Sequence, residues 1–72
     1  MELIPVESSQ IAAVGYDAGT QKLQVRFKHG NSLYEYSDVD QGTYDAMMAP
    51  GTSVGSFHSS NIKGCFAYER LS

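Results

Sequence analysis

Apolar and polar residues alternate most regularly over residues 22–28, "KLQVRFK". Leu23, Val25 and Phe27 fall on one face of an extended chain, and the polar residues between them fall on the other. Unbroken alternation of this length is typical of a strand with one buried face. We therefore predict a strand here.

Three further strands are predicted around this segment. Residues 10–16, "QIAAVGY", have Ile11 and Val14 as apolar anchors and are followed by the turn-forming "DAGTQ". Residues 33–37 follow the turn residues "HGN", and residues 65–71, "CFAYERL", alternate again. Consecutive strands joined by short loops pair as an antiparallel meander.

Between the third and fourth strands the periodicity becomes helical. Asp38 is predicted to cap a first helix, with Gln41 completing a capping box three residues later, and the Pro-Gly pair that follows should end it. A shorter second helix is predicted to begin near Ser53 and to end at Gly64. The chain, residues 1–72, is thus predicted to be a single α+β domain: a three- to four-stranded antiparallel β-meander with one or two short helices packed on one face.

The tyrosines of "YEY", Tyr34 and Tyr36, share one side of the third strand, and the hairpin register decides which side that is. With a two-residue turn at 30–31, or a four-residue loop over 29–32, Phe27 opposes Tyr34 and Val25 opposes Tyr36. The rings then belong to the core.

The same register pairs Arg26 with Glu35, which have opposite charges, and we favour it because all three pairs are chemically consistent. A three-residue loop would instead place Tyr34 across from Arg26 and Tyr36 across from Gln24. The rings would then lie on the solvated face, where nucleotide bases could stack on them.

Composition limits the function classes. A chain of 72 residues is near the lower size limit for independent folding, so its five Tyr and three Phe are needed for burial. Eight Asp and Glu against five Lys and Arg give a formal charge of −3. Proteins that hold long nucleic acids usually have a basic excess, so general binding to long polyanions is disfavoured.

The lone cysteine, Cys65, cannot form an internal disulfide, no apolar run is long enough to cross a membrane, and "MELIPVESS" lacks the features of a secretory signal. A cytoplasmic protein is expected. His58 and Cys65 lack a third orienting group, and neither they nor His29 have zinc-site spacing. We expect no enzyme activity, no cofactor and no metal.

Five segments in order, "VESSQIAAVGYD", "LQVRFKHG", "YEYSDV", "TYDAMMAP" and "GSFHSSNIKGCFAYERL", resemble the KTSC domain. That domain occurs at the C-terminus of some lysyl-tRNA synthetases and as small stand-alone proteins of bacteria and phages, and Tyr-x-Tyr is its central mark. The resemblance implies a bacterial cell or a phage-infected host, and RNA binding has been suggested for the family. This chain has Cys65, Ala67 and Glu69 where similar proteins tend to be basic, and Asp40 where proline is common.

Together these observations predict a non-enzymatic module that binds a nucleotide or a short nucleic-acid element. One specific form of this prediction is a phage-type protein that sequesters a nucleotide. The alternative is a protein-interaction or homo-oligomerisation domain, with Phe66 and Tyr68 at its edge. In the binding module, tyrosines and a histidine would stack or donate hydrogen bonds, and basic groups would pair with phosphates. The candidate ligand-binding residues are Tyr34, Tyr36, Arg26, His58, Asn61, Lys63, Tyr68 and Arg70.

Overall fold

The computed structural model describes residues 2–72. Five antiparallel strands form one sheet in sequence order, and the helices lie between the fourth and fifth strands. The predicted α+β meander with short helices is confirmed. The strands are β1 (Ile4–Pro5), β2 (Ile11–Asp17), β3 (Lys22–Phe27), β4 (Leu33–Tyr36) and β5 (Tyr68–Arg70), and the helices are α1 (Gln41–Met47) and α2 (Val54–Phe57).

Strand β1 is an addition to the predicted elements. Ile4 pairs with Val14 and Pro5 with Ala13, which places β1 on the edge of the sheet next to β2. Two residues show no periodicity, and proline cannot donate a ladder hydrogen bond, so it is tolerated in strands only at such an edge. The sequence pattern therefore contained no signal for this strand.

One face of the sheet is covered by the helices and forms the core. Its side chains come from β2, β3 and β4 on one side and from the helical segment on the other. The buried apolar residues are Ile11, Val14, Leu23, Val25, Tyr36, Val39, Met47, Val54 and Ile62. The alternation of β3 thus correctly indicates which of its residues face inward.

The β3–β4 hairpin places Leu23 opposite Tyr36 and Val25 opposite Tyr34. Both tyrosines therefore lie on the core face, as in the favoured register. The individual pairs were predicted wrongly, because Tyr34 pairs with Val25 and not with Phe27. The pairing is displaced by an even number of residues, so the faces are preserved although the partners change.

The turn explains this displacement. The backbone N–H of Phe27 donates to the carbonyl of Ser32 at 2.9 Å, so the loop begins at Lys28. Both predicted alternatives, the turn at 30–31 and the loop over 29–32, begin later in the chain. Gly30 and Asn31 have positive φ values of 74° and 53°, and glycine and asparagine are the residues that adopt this conformation most readily. The turn is thus set by these two residues.

The open face of the sheet carries a polar ladder. Arg26 lies opposite Leu33, so its predicted pairing with Glu35 is wrong, and its guanidinium donates to the carbonyl of Asn31 at 2.9 Å. Glu35 instead accepts a 2.9 Å hydrogen bond from the amide of Gln24. These polar groups are thus engaged by neighbours on the sheet.

Helix α1 is capped by Asp40 and not by the predicted Asp38. The Asp40 carboxylate accepts from the backbone N–H of Thr43 at 3.0 Å. Hydrogen bonding from the Thr43 side chain, and then from its backbone N–H, holds the pKa of Asp40 below its ordinary value. Asp38 has φ = 61° and lies in the bend that leaves β4. Both aspartates fit a capping pattern, and the direction of the chain after the sheet selects the second.

Helix α2 begins as predicted, with the side chain of Ser53 accepting from the backbone N–H of Ser56. It continues without a break into a π-helical segment, His58–Ile62, called the π-turn below. The N–H of Lys63 closes this segment by donating to the carbonyl of His58 at 2.8 Å. Gly64 then reverses the chain with φ = 81°, which confirms the predicted stop.

Candidate functional site

A cavity of about 490 Å³ lies between the core face of β3–β5 and the π-turn. Aromatic rings form its inner part, and small polar groups with one lysine complete it. The residues that line it are Ser9, Gln10, Phe27, His29, Ser32, Tyr34, Tyr36, His58, Ser59, Lys63, Gly64 and Tyr68. This volume falls within the range of about 300–1,000 Å³ that is typical of small-molecule sites.

The aromatic part of the cavity follows from strand pairing. Strand β4 presents Tyr34 and Tyr36 on one face, and β5 places Tyr68 directly opposite Tyr36. The Tyr68 ring centroid lies 5.6 Å from that of Tyr34 and 5.7 Å from that of Tyr36, while Phe27 meets Tyr34 edge-on at 5.5 Å. Tyr68 is 60% exposed, so its ring remains accessible to a ligand.

His58 anchors the π-turn to the sheet. Its ring is only 4% exposed, and Nε2 forms a 2.8 Å hydrogen bond with the Tyr36 hydroxyl. The imidazole also packs edge-on against Phe27 and Tyr36, with centroids 5.2 and 5.4 Å apart. This contact brings together residues that are far apart in the sequence.

Burial keeps this pair neutral. Desolvation lowers the pKa of His58, and the nearby charge of Lys63 lowers it further. Desolvation, with additional contributions from Tyr34 and Tyr68, raises the pKa of Tyr36 to about 12. At neutral pH the hydrogen bond therefore joins an uncharged phenol to an uncharged imidazole.

The His58 environment predicts a loss of stability in mild acid. The unfolded chain protonates this histidine below about pH 6.5, whereas the folded protein resists protonation to a lower pH. Stability should therefore be complete above about pH 6.5 and should decrease as the pH falls below that value. Urea unfolding between about pH 7.5 and about pH 5.5 measures this dependence.

The matched control for this experiment is the exposed His29. A His58→Gln variant should be less stable overall but should show a flatter pH dependence, whereas His29→Gln should behave as the unmodified protein does. Equal pH dependence in the His58→Gln variant and the unmodified protein would contradict the assignment of the effect to His58.

Five of the predicted site residues line the cavity: Tyr34, Tyr36, His58, Lys63 and Tyr68. They come from β4, the π-turn and its end, and β5. Sequence spacing alone does not place these segments together, because the helices separate the strands along the chain. The His58–Tyr36 hydrogen bond and the burial of Ile62 in the core hold the π-turn against the sheet.

Three predicted site residues do not line the cavity. Arg26 belongs to the open face of the sheet, and Asn61 is exposed on the π-turn. Arg70 lies next to the rim, where it donates to the hydroxyl of Ser32 at 3.3 Å and to the carbonyl of Ser72 at 3.0 Å. The prediction grouped these residues by charge and polarity, which do not indicate the direction in which a side chain points in the folded protein.

Several lining residues were not predicted. Phe27 was assigned to the core from its alternation, and it does pack there, but the end of β3 exposes it to the cavity. Ser9 and Gln10 precede β2 and reach the cavity because their segment lies beside the π-turn. No sequence pattern identifies a polar residue just before a strand as part of a binding site.

A second, smaller cleft of about 240 Å³ adjoins the cavity and shares Ser9, Gln10 and Ser59 with it. Its other lining residues are Ser8, Ser53, Gly55, Ser56 and Ser60. The hydroxyl oxygens of Ser8 and Ser53 accept backbone N–H groups, which leaves their hydroxyl protons free to donate. The cleft is therefore polar but has no formally charged residue in this lining.

Within residues 2–72, no group of three His, Cys, Asp or Glu side chains is arranged to hold a metal ion. The Cys65 thiol is free and exposed. In the same part of the chain, no helix has the length and apolar character needed to cross a membrane.

Comparison with known proteins agrees with this architecture. A protein of Tsukamurella paurometabola, whose name states no function, is 40% identical over 62 residues that cover 86% of this chain and 90% of the relative. The crystal structure of a KTSC domain protein from Yersinia pestis matches with a TM-score of 0.86 and 30% identity, covering 99% of this chain and 97% of the other. The sequence profile described as "KTSC domain" matches residues 7–66. The chain therefore belongs to the KTSC domain family.

Proposed function

We propose that this protein binds a nucleotide, or a nucleotide-sized element of a nucleic acid, in the aromatic cavity, and does not transform it chemically. The observation that carries the proposal is the grouping of Tyr34, Tyr68 and Lys63 around one accessible space. Aromatic side chains bind bases of any sequence by stacking, and a lysine supplies a point charge for phosphate.

The size of the cavity supports a small ligand. A space of about 490 Å³ can enclose a base with its sugar, whereas a long strand would need an extended basic groove. The formal charge of −3 also disfavours general binding to long polyanions. The free thiol of Cys65 is compatible with the reducing cytoplasm, which is the compartment we propose.

Isothermal titration calorimetry with nucleosides, nucleotides and short single-stranded oligonucleotides tests the proposal. We expect saturable one-to-one binding of at least one mononucleotide, and no tighter binding of long oligonucleotides of the same base. Absence of binding across the whole panel would reject nucleotide binding as the function.

A second candidate function, self-association through β5, is favoured by one observation. Strand β5 is at the edge of the sheet, and Tyr68 and Leu71 beside that edge are 60% and 43% exposed. A symmetric pairing centred on Glu69 would oppose two equal charges, which weakens this candidate. Self-association predicts that thermal stability rises with protein concentration, and a stability independent of concentration would reject it.

A further inference from the structure

The cavity is locally positive in an acidic protein. Among its described lining residues there is no Asp or Glu, and Lys63 is the one Lys or Arg. Over the whole chain, by contrast, eight acidic residues face five basic ones. The distribution of charge around the cavity is thus the reverse of the overall balance.

Lys63 is placed to act on a ligand in this space. It is the first residue after the π-turn, and its side chain is exposed. The pKa of His58, which also lines the cavity, is lowered first by burial and then further by the charge of Lys63. Of the other four Lys and Arg residues, Lys28 is exposed outside the cavity lining, and three are engaged by the protein itself. Lys22 donates to Ser37, Arg26 to Asn31, and Arg70 to Ser32 and Ser72.

The adjoining cleft adds no second cation. Its described lining consists of serines, one glutamine and one glycine. Hydroxyl groups of this kind suit a sugar or other neutral polar groups, whereas a second phosphate would meet no opposite charge there. The two spaces together therefore provide aromatic surface, neutral hydrogen-bonding groups and one ammonium.

We infer that the ligand carries a single anionic group, held by Lys63, and an aromatic base that packs against Tyr34 and Tyr68. The inference rests on the proposed function and narrows it to mononucleotides with one phosphate, open or cyclic. Nucleoside diphosphates and triphosphates gain nothing from their further charges, because Lys63 is the one Lys or Arg in the described lining and Arg70, next to the rim, already donates to Ser32 and Ser72.

Calorimetry with a nucleoside, its monophosphate and its triphosphate, repeated for each of the four common bases, tests this inference. For at least one base, the monophosphate should bind about tenfold or more tightly than the nucleoside, as expected for one charge-assisted hydrogen bond. The triphosphate should bind no more tightly than the monophosphate.

Two variants test whether Lys63 is the group that makes the monophosphate bind more tightly than the nucleoside. Lys63→Ala should remove the advantage of the monophosphate and leave nucleoside binding unchanged. Lys28→Ala, which removes an exposed lysine outside the cavity lining, should retain that advantage. Both proteins should unfold at the temperature of the unmodified chain, since both lysines are exposed.

The outcomes separate the two proposals. Equal affinity for nucleoside and monophosphate, or clearly tighter binding of the triphosphate, would overturn the inference of a single charge while nucleotide binding stands. Retention of the monophosphate advantage in Lys63→Ala would overturn the assignment to Lys63. Absence of binding for every compound would reject both the inference and the proposed function.

Discussion

Replacement of Leu23 by alanine is expected to lower the free energy of unfolding by about 2–5 kcal/mol, a large share of the total for a domain of this size. Leu23 is fully buried in β3, where it pairs with Tyr36 on one side and Tyr16 on the other. Leucine-to-alanine changes in cores cost about 2–5 kcal/mol. Average stabilities per residue give a chain of this length about 4–11 kcal/mol in total, and small domains lie at the lower end.

Urea unfolding followed by circular dichroism measures the effect of the Leu23→Ala change. Leu33→Ala is the matched control, because it makes the same chemical change in the neighbouring strand, on the open face and at a half-buried position. Leu33→Ala should lower the free energy of unfolding clearly less than Leu23→Ala does. Equal destabilisation by the two variants would mean that the open face is covered in solution, for example by a second copy of the chain.

Replacement of Tyr68 by alanine is expected to weaken nucleotide binding by about tenfold or more while leaving the fold intact. Base stacking on an aromatic side chain is worth about 1–3 kcal/mol by alanine substitution, and Tyr68 offers the most exposed ring of the cavity. Because 60% of this side chain is already exposed, its removal should change the free energy of unfolding little.

The affinity should be measured with the mononucleotide that binds the unmodified protein most tightly. Tyr68→Phe should retain most of the affinity because the ring is kept, and Leu71→Ala should retain all of it because Leu71 does not line the cavity. An unchanged affinity in Tyr68→Ala would place the base elsewhere in the cavity, against the prediction.

Membership of the KTSC domain family accounts for the architecture, and the cavity supplies the chemistry on which the functional proposal rests. The Tyr34-Glu35-Tyr36 segment has a structural role on both faces of β4. Tyr36 is buried against His58, while Glu35 on the open face accepts from Gln24. Two of the three residues thus contribute to packing and hydrogen bonding of the sheet, and only Tyr34 offers an accessible ring to the ligand that we propose.

Secondary structure was predictable wherever a local pattern had one physical meaning. The alternation of "KLQVRFK" identified β3 and its inward side chains, because period-two burial has no other common cause. Helix α2 and its end were predictable from Ser53 and Gly64, whose conformational preferences are local. The face on which the tyrosines lie was predicted correctly, although the individual cross-strand pairs used to choose the register were wrong.

Features for which the sequence allowed two local structures were mispredicted. Asp38 and Asp40 both satisfy a capping pattern, and the choice between them depends on the bend that takes the chain off β4. The loop start at Lys28 depended on which residues adopt positive φ, and this choice displaced every β3–β4 pair. Strand β1 had no pattern at all.

By itself, the sequence determined the α+β class, the buried face of the sheet, the small negative net charge and the set of aromatic residues available for a site. Only the tertiary structure decided that Tyr34, Tyr68, His58 and Lys63 surround one cavity and that Arg26 does not. The physical reason is the range of the interactions: strand and helix signals act over a few residues. The cavity is formed by contacts between distant segments, among them the hydrogen bond from the π-turn to β4 and the aromatic contacts of Tyr68 with β4.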